Sequence, residues 1–401
     1  MQVLISTEKV EFVHCTMHAI ATSLHQIYTT KFNESPAIFR SPGRINIIGE
    51  HTDYNAGFVL PAAIDKAVYI AIGPRNDGLI SLFAVAYDET FEISLEEISK
   101  TSRGWPNYIL GVVHELQIRG YAPAGFNMVI DADLPVGAGL SSSAAIECAT
   151  VFALNELFSF QLSKMDMIHI AQKAEHTYAG VMCGIMDQFA SMFGRKGCVM
   201  KLDCRSMDYE YVPCEMKGIK ILMLNTNVKH SLASTEYNVR REECNKGLAW
   251  VQEAYPGVLA LRDVTEKMLD ELVRPRDKVI DNRCRFVVQE IERLQLACID
   301  LLNNDLESVG KKMLATHSGL QNMYEVSCRE LDYLVDAVKD HPGVLGARMM
   351  GGGFGGCTIN LVNEDAVDQL VIGLSRQYEI AMGLPLTAFT VQIENGTERI
   401  F

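Results

Sequence analysis

The sequence predicts a mixed α+β protein of the α/β type, built from two domains. Its 401 residues are enough for two domains of roughly 100 to 200 residues each, and its 48% apolar content is enough for sizeable cores. Strand-like and helix-like segments alternate in the first half, and helical patterns dominate the second. We expect one domain over residues 1–210, a second over 211–385, and a terminal strand over 386–401 that returns to the first domain.

In the first half, apolar residues spaced by three and four predict an opening helix over residues 10–27. Apolar runs broken by glycines over residues 37–60 indicate strands joined by a functional loop, and AVYIAIG indicates a further strand. The strand GFNMVIDADLPVG leads into a glycine and serine loop and then a helix over residues 144–158. Ser163 and Asp166 form a capping-box-like pair that starts the next helix.

In the second half, residues 287–301 repeat the three-four spacing of a helix, and helical pattern continues toward residue 338. The glycine cluster in GARMMGGGFGGCTINLV then feeds a strand, and strand patterns also occur over residues 219–224 and 389–393. The loose polar stretch DCRSMDYEYVPCEMKG places the domain boundary near residue 210.

Charge and composition favour small-molecule chemistry. Fifty acidic residues against 36 basic ones leave a net charge of -14, which disfavours nucleic acid and anionic membranes as partners. Glu8 and Lys9 interrupt any signal peptide, and no apolar run is long enough for a membrane helix, so we expect a cytoplasmic protein. The eleven cysteines contain no C-x-x-C pair, which indicates neither a disulfide framework nor a zinc site and favours core packing.

The loop LPVGAGLSSSAA has the composition of an anion site. Glycine allows positive φ and close approach to a ligand, while the following helix presents free N–H groups and the positive end of its dipole. Strand, glycine turn, serines and helix together favour phosphate as the ligand. The loop is neither a Walker A motif nor a dinucleotide fingerprint, and a tight structural turn explains it equally well on its own.

The loop GRINIIGEHTDYNAG places Arg44, Glu50, His51 and Asp53 close together beside glycines. Each sugar hydroxyl both donates and accepts hydrogen bonds, so these side chains suit a polyhydroxylated substrate. A charged surface turn is the alternative. His51 has no second His or Cys at ligand spacing, which makes a metal site there a poor interpretation.

Two carboxylates follow the second helix. Glu175 lies near the helix end, and Asp187 lies in MCGIMDQFASMFG, an otherwise apolar segment. A carboxylate in such surroundings is costly unless it is paired or functional. If the fold brings Arg44 to Asp187, the pair can act as a general base, and an ordinary helix cap is the alternative. GGGFGG offers a second close approach of backbone to a ligand, or a structural turn.

Three motifs in this order resemble the GHMP kinase superfamily. GRINIIGEHTDYNAG is similar to the signature of its galactokinase family, LPVGAGLSSSAA to the ATP-phosphate loop, and GARMMGGGFGG to the C-terminal glycine motif. CGIMDQFAS and NVKHSLASTEYNVRR also match, so the resemblance spans nearly the whole chain. It implies a two-domain GHMP kinase fold with the active site in the interdomain cleft.

The resemblance also implies transfer of phosphate from MgATP to the anomeric hydroxyl of D-galactose, with Asp187 as the base and Arg44 as its partner. The implied sugar-binding residues are Arg44, Glu50, His51, Thr52, Asp53, Gly184, Asp187 and Tyr237. The implied ATP-binding residues are Trp105, Gly137, Ala138, Gly139, Leu140, Ser141, Ser142 and Ser143. Ser143 and Glu175 would hold Mg²⁺.

Some positions depart from the family pattern or leave alternatives open. Met350 stands where the family carries Thr, so a hydroxyl is missing there, while Ala138 replaces a Gly and keeps the loop small. Lys229 is a candidate for extra positive charge near the phosphates, although a solvated surface lysine is the simpler interpretation.

Two other functions remain alternatives at this stage: a kinase for N-acetylgalactosamine or arabinose, and a non-catalytic sensor of galactose and ATP. Mevalonate and homoserine are disfavoured because they are carboxylates, which Glu50, Asp53 and Asp187 would repel. The sequence identifies no protein partner and is compatible with a monomer.

Overall fold

The computed structural model describes residues 17–135, 137–228 and 233–401. Its strands are β1 (Ala37–Asn46), β2 (Phe58–Val59), β3 (Pro61–Arg75), β4 (Leu79–Ala84), β5 (Glu89–Ser94), β6 (Gly125–Ala132), β7 (Cys198–Asp203), β8 (Tyr209–Pro213), β9 (Ile219–Asn225), β10 (Val344–Met349), β11 (Cys357–Asn363), β12 (Thr387–Val391) and β13 (Glu398–Arg399). Its helices are α1 (Met17–Phe32), α2 (Pro106–Ile118), α3 (Ser142–Phe158), α4 (Lys164–Ala174), α5 (Met186–Phe193), α6 (Ala233–Ala254), α7 (Glu266–Met268), α8 (Lys278–Leu302), α9 (Leu306–Gly319), α10 (Arg329–Val338) and α11 (Val367–Met382).

The first half is built on a sheet in which six of the described strands lie in the order β13, β1, β3, β6, β4, β5. Alternation along β3 explains why helices cover both faces of this sheet. Ile70 and Ile72 pack in a core that includes α3, whereas Tyr69 and Ala71 pack in a cluster with α1. The central strand is therefore apolar on both faces, as its AVYIAIG pattern predicts.

The second half contains a sheet in the order β10, β11, β9, β12, with each described pair antiparallel. Helices α10 and α11 cover one face through a cluster that includes Leu334 and Leu370. The other face, through Ile359 and Leu361, belongs to the same core as the first half. The two halves therefore share one continuous core, and the loops between them are held against rigid elements.

Several predicted elements are confirmed. The strand predicted over residues 219–224 is β9, the helix predicted over 144–158 is α3, and the glycine cluster leads into β11. The capping box at the start of α4 is present, because Ser163 accepts from the N–H of Asp166 and Asp166 accepts from the N–H of Ser163. The opening helix is described from Met17 onward, and its predicted part before that residue lies outside the described residues.

The predicted domain boundaries, near residues 210 and 385, stay predictions, and the strand pairing near them is as follows. Residue 210 lies inside β8, which pairs with β7, so the chain changes sheet between Pro213 and Ile219. The stretch 386–401, expected to return to the first domain, contains two strands, of which β12 pairs with β9 in the second sheet and β13 pairs with β1 in the first. The chain reaches the first sheet from Gln392 onward. The N–H of Asp65 on β3 donates to the carbonyl of Gln392 at 3.0 Å, Ile393 bridges to Ile64, and β13 then pairs with β1.

Two further features concern membrane-spanning helices and the state of the cysteines. No helix in the described ranges is long and apolar enough to cross a membrane. The ten described cysteines are free thiols, and six of them are buried in the cores, which accords with the packing role expected from the sequence.

Candidate active site

A cleft of about 1010 Å³ lies where the loop after β1, the start of α3 and the turn between β10 and β11 meet. All three motifs of the sequence line this cleft. Its lining includes Arg44, Glu50, His51, Asp53, Gly137, Gly139, Leu140, Ser141, Ser142, Ser143, Glu175, Gly184, Asp187 and Tyr237. Segments more than 200 residues apart in the chain therefore share one site.

Arg44 and Asp187 form a bidentate pair at the centre of the cleft. Nε and Nη2 of Arg44 donate to the two carboxylate oxygens of Asp187 at 2.7 and 2.9 Å, and Nη1 donates to the carbonyl of Gly139 at 2.5 Å. The hydroxyl of Ser141 also donates to Asp187. The side chain of Arg44 is 5% exposed and that of Asp187 is 24% exposed, so the carboxylate is the member of the pair that a ligand can reach.

Local structure explains this pairing. Arg44 lies on β1, and its N–H donates to the carbonyl of Leu140, which ties the strand to the glycine and serine loop. Asp187 lies in the first turn of α5. Burial lowers the pKa of Arg44, but the charges of Asp187 and Glu50 outweigh burial and raise that pKa above its usual value, so the guanidinium stays charged.

Asp53 lies at the start of a 3₁₀ turn, Asp53–Asn55, beside Gly184. A Cβ at Gly184 would overlap a carboxylate oxygen of Asp53, so only glycine permits this approach. Burial, followed by the charge of Asp187, raises the pKa of Asp53 to about 7. Near neutral pH this carboxyl can therefore donate or accept a hydrogen bond.

His51 presents a neutral ring to the cleft. Its Nδ1 shares a hydrogen bond with the hydroxyl of Tyr54 at 2.7 Å, and its Nε2 is buried and makes no hydrogen bond within the described structure. Burial lowers the pKa of His51 to about 4. The ring also lies 5.3 Å from that of Tyr237, on α6, and 4.8 Å from that of Tyr324. A ligand hydroxyl is a suitable partner for the unpaired nitrogen.

Glu50 and Thr52 lie in the same loop but have different roles. Oε1 of Glu50 accepts from Nη2 of Arg348 at 3.0 Å and from the N–H of Gly351 at 2.9 Å, while the residue still lines the cleft. The hydroxyl of Thr52 donates to the carbonyls of Gly49 and Phe58, and the side chain is buried outside the cleft lining. Thr52 therefore shapes the loop in this structure.

The glycine and serine loop, residues 137–143, forms a site for an anion at the start of α3, which we call the phosphate cradle. Gly137, Gly139 and Ser141 have φ values of 76°, 74° and 61°, which turn the chain sharply before the helix begins at Ser142. The hydroxyl of Ser141, the N-cap residue, makes no capping bond to the helix because it donates to Asp187. The first N–H groups of a helix have no intrahelical partner, so they are available to an anion. Ala138 is buried beneath the loop.

The third motif packs against this loop. A Cβ at Gly351 would lie 3.2 Å from the carbonyl of Gly139, and one at Gly356 would lie 3.3 Å from Ala138. Met350 is buried in the shared core. A hydroxyl is nevertheless present at this turn, because Thr226 on the neighbouring segment donates to the carbonyl of Gly356 at 2.9 Å.

Ser143 and Glu175 face each other at the edge of the cradle, with the serine hydroxyl donating to the carboxylate at 2.7 Å. Burial raises the pKa of Glu175, and more strongly that of Glu147, one helical turn after Ser143. No group of three or more His, Cys, Asp or Glu suited to a metal occurs among the described residues. Two hard oxygen donors beside a phosphate site suit Mg²⁺, which takes few protein ligands and completes its shell with phosphate oxygens and water.

The structure places the predicted nucleotide aromatic outside the cleft lining. The indole N–H of Trp105 donates to Glu89 at 3.0 Å, and the ring packs against the first core. Tyr108, one turn later on α2, does line the cleft. Tyr108 lies three residues after Trp105, a spacing at which side chains are neighbours on a helix. A contact of Trp105 with adenine stays a prediction, and Lys229 lies outside the described residues.

Sequence reasoning also missed residues that hold others in place. Arg348 contacts Glu50, and Gln188 donates to Glu175 at 2.7 Å. Both lie within quoted motifs, yet their partners lie elsewhere in the sequence or on another helix. No pattern along the chain identifies such contacts.

Comparisons with known proteins agree with this geometry. The galactokinase galactose-binding signature matches residues 26–74, the GHMP kinases N terminal domain matches 107–195, and the GHMP kinases C terminal model matches 298–380. A galactokinase of Thermotoga neapolitana is 40% identical over 361 residues, covering 90% of this chain and 99% of the relative. The chain belongs to the galactokinase family.

Other relatives support the same assignment. A galactokinase of Clostridium acetobutylicum is 38% identical over 371 residues, covering 90% of this chain and 94% of that one. The crystal structure of Lactococcus lactis galactokinase complexed with galactose has a TM-score of 0.91 and 33% identity, covering 95% of this chain and all of that one. The galactokinase function, with ATP as co-substrate of a sugar kinase, is therefore confirmed.

The wider superfamily shares the architecture. Mevalonate kinase of Methanococcus jannaschii has a TM-score of 0.62 and 19% identity, covering 90% of this chain and 99% of that one. At that identity the likeness shows the fold alone. The two-domain GHMP kinase fold predicted from the motifs is thereby confirmed.

Proposed function

We propose that this member of the galactokinase family transfers the γ-phosphate of MgATP to the anomeric hydroxyl of D-galactose, giving galactose 1-phosphate and ADP. One observation carries the proposal. The Arg44–Asp187 pair opens onto the same cleft as the phosphate cradle at the start of α3. Phosphoryl transfer needs the acceptor hydroxyl in line with the γ-phosphate and the developing charge neutralised, which this placement supports.

At the acceptor, Asp187 takes the proton of the sugar hydroxyl as transfer proceeds. Two guanidinium bonds and the Ser141 hydroxyl hold its carboxylate in one orientation. Arg44 also stabilises negative charge that develops on the attacking oxygen. General base assistance of this kind contributes roughly 10²- to 10⁴-fold in rate.

The sugar is held by hydrogen-bonding groups of differing character. Glu50 and Asp53 accept from hydroxyls, the neutral ring of His51 exchanges a hydrogen bond through Nε2, and Tyr237 lines the wall. Gly184 leaves room for Asp53. Such a set favours a neutral polyol and disfavours a carboxylate substrate, which would meet several acidic groups.

At the donor, residues 137–143 and the N-terminus of α3 bind the phosphates through main-chain N–H groups and serine hydroxyls. Gly137 and Gly139 have positive φ, which turns the chain sharply where both residues line the cleft. This cradle does without a Walker lysine because helix dipole and N–H groups supply the positive potential.

Ser143 and Glu175 would hold Mg²⁺, and their hard oxygens at the phosphate cradle fit that ion. When bound, Mg²⁺ neutralises charge on the phosphate oxygens. The contribution of the chain is to orient the two ligands: Gln188 donates to Glu175 and keeps one of its oxygens toward α5 while the other faces Ser143.

The test is transfer from MgATP to galactose, N-acetylgalactosamine, glucose and arabinose, with the phosphorylated carbon identified by NMR. We expect kcat/KM to be highest for galactose and the product to carry phosphate on C1. A higher kcat/KM for another sugar of the panel would replace galactose as the substrate. Tight binding of galactose and ATP without turnover would replace the kinase by a sensor.

A further inference from the structure

Arg348 connects the two halves of the molecule beneath the sugar loop. It lies on β10, and its side chain is fully buried and absent from the cleft lining. Nε donates to the carbonyl of Ile47 at 2.9 Å, Nη2 donates to the carbonyl of Asn46 and to Glu50, and Nη1 donates to the carbonyl of Met349. One guanidinium from the second sheet thus holds the segment that runs from β1 to Glu50.

The contact with Glu50 selects which carboxylate oxygen faces the cleft. Oε1 accepts both from Arg348 at 3.0 Å and from the N–H of Gly351 at 2.9 Å. Glu50 lines the cleft, so Oε2 is the oxygen left for a ligand. Both donors lie in the motif GARMMGGGFGG. The other role of this motif in the site is to pack against the phosphate cradle.

The bonding pattern requires arginine. A buried ion pair is favourable only when its geometry is good and its remaining donors are satisfied. Here the planar fork reaches two carbonyls of the first half, one of its own strand and one carboxylate. Lysine carries a single compact charge and cannot hold four acceptors in these directions.

We propose that Arg348 is a positioning residue of the sugar site, which orients Glu50 so that one oxygen accepts from the sugar. The inference rests on the proposed function, because it assigns Glu50 to galactose. It predicts a larger loss on the sugar side of the reaction than on the ATP side, since the hydrogen bonds of Arg348 go to Asn46, Ile47, Glu50 and Met349 and none goes to residues 137–143.

The first experiment compares Arg348→Lys with Arg40→Lys. Arg40 is a matched control: it is a buried strand arginine that donates to the carbonyls of Ile64 and Asn395, away from the cleft. For Arg348→Lys we expect the KM for galactose to rise roughly 10- to 100-fold while the KM for ATP stays within about twofold. Arg40→Lys should lower Tm and leave both KM values unchanged.

A loss of Tm in Arg348→Lys with an unchanged KM for galactose would reduce Arg348 to a structural residue and overturn the proposal. An equal rise in both KM values would do the same. Transfer to galactose by the wild-type protein tests the proposed function separately, so failure there is distinguishable from failure of the positioning role.

A second variant tests the orientation without disturbing Arg348. In Glu50→Gln the two donors still require an acceptor at Oε1, so the amide oxygen should face Arg348 and the NH₂ group should face the sugar. We expect Tm close to wild type and a similar 10- to 100-fold, that is roughly 1.5 to 3 kcal/mol, loss of galactose affinity by calorimetry. Wild-type affinity would mean that the amide turns freely, which would overturn the proposal even if Arg348→Lys failed to fold.

Discussion

In the Arg44–Asp187 pair, the cation is buried and the anion is accessible from the cleft. Arg44 uses three donors on three acceptor oxygens, two of Asp187 and one of the Gly139 carbonyl, and is almost fully enclosed. Asp187 keeps about a quarter of its side chain exposed to the cleft. Burial of the cation fixes the orientation of the anion, while exposure of the anion allows it to meet a hydroxyl.

This division predicts the effect of Asp187→Asn. The amide keeps the shape of the side chain and can accept from Arg44 through one oxygen, so the protein should fold and bind galactose. It cannot take a proton, so kcat should fall by roughly 10²- to 10⁴-fold. Steady-state kinetics and calorimetric titration of galactose measure the two effects.

Asp187→Ala should lose as much activity and some Tm as well, because it leaves Arg44 buried without its carboxylate. The exposed Asp208 provides a control, and Asp208→Asn should leave kcat unchanged. Turnover near that of the wild-type protein in Asp187→Asn or Asp187→Ala would defeat the assignment of a base.

The pKa of Asp53 predicts that galactose binds more tightly as pH rises. Burial and the charge of Asp187 raise this pKa to about 7. Loss of the proton between about pH 6 and pH 8 turns the carboxyl into a charged acceptor, which makes stronger hydrogen bonds to hydroxyls. We expect the Kd for galactose to fall several-fold over that range and Asp53→Asn to remove the trend, as measured by titration without ATP.

The same shift governs the stability of the free protein. The pKa of Asp53 is higher in the folded chain than in the unfolded one, so its stabilising contribution is fully present below about pH 4 and is lost as pH rises through about 7. Asp53→Asn should therefore raise Tm more at about pH 8 than at about pH 5. Equal changes in Tm at both pH values would contradict the raised pKa.

At the scale of elements, the start of α3 is a helix terminus shaped for a ligand. Three residues just before it have positive φ, and the N-cap hydroxyl is turned away toward Asp187. The carbonyl of Gly139 meanwhile accepts from Arg44. The loop is therefore bonded to both members of the Arg44–Asp187 pair, so a displacement of the loop should disturb Asp187, the proposed base.

Gly139→Ala tests that connection. Gly139 has φ 74°, and a Cβ there would lie 3.4 Å from the carbonyl of Met350. A left-handed conformation costs alanine roughly 1 kcal/mol, so the loop should shift, and we expect the KM for ATP to rise several-fold and kcat to fall. Kinetics at saturating galactose measure both.

Gly78 supplies the control, because it has φ 72° and open space around its Cβ position in a surface turn between β3 and β4. Gly78→Ala carries the same conformational strain and should lower Tm without changing the KM for ATP. Equal kinetics in the two variants would show that backbone strain alone, and not the cradle, determines the effect.

At the scale of the whole molecule, the last residues fasten together the elements that carry Arg44 and Asp187. The segment after Ile393 bonds to α5 through Ser191, where the N–H of Thr397 donates to the carbonyl at 2.8 Å. Strand β13 then pairs with β1, the strand of Arg44. The hydroxyls of Ser41 and Thr397 also lie 2.8 Å apart. The chain end is thus a brace between β1 and α5.

Ending the chain at Ile393 should therefore lower both Tm and kcat, because it exposes the edge of β1 and frees α5. Scanning calorimetry and kinetics measure these losses. Thr397→Ala, which removes one hydroxyl and its bonds, should cost only about 1 kcal/mol and leave kcat near wild type. A truncated protein with wild-type Tm and kcat would show that the brace is dispensable.

Periodicity and short motifs could be predicted from the chain because their determinants are local. The capping box of α4 depends on residues three apart, and β3 shows its apolar character within seven positions. Sheet membership was harder to predict. β12 pairs with β9, but its local pattern indicates a strand without indicating which sheet edge pairs with its main-chain groups.

By itself, the sequence determined the kinds of chemistry available: a glycine and serine turn before a helix, an acidic loop beside it and one aspartate in an apolar segment. Only the tertiary structure decided which of those groups meet. Arg44 pairs with Asp187, which lies 143 residues later in the chain, and Arg348 pairs with Glu50, which lies 298 residues earlier. Tyr108 lines the cleft, whereas Trp105 does not. The physical reason is that hydrogen bonds and ion pairs act over a few ångströms in space, and only packing of the shared core brings distant segments that close.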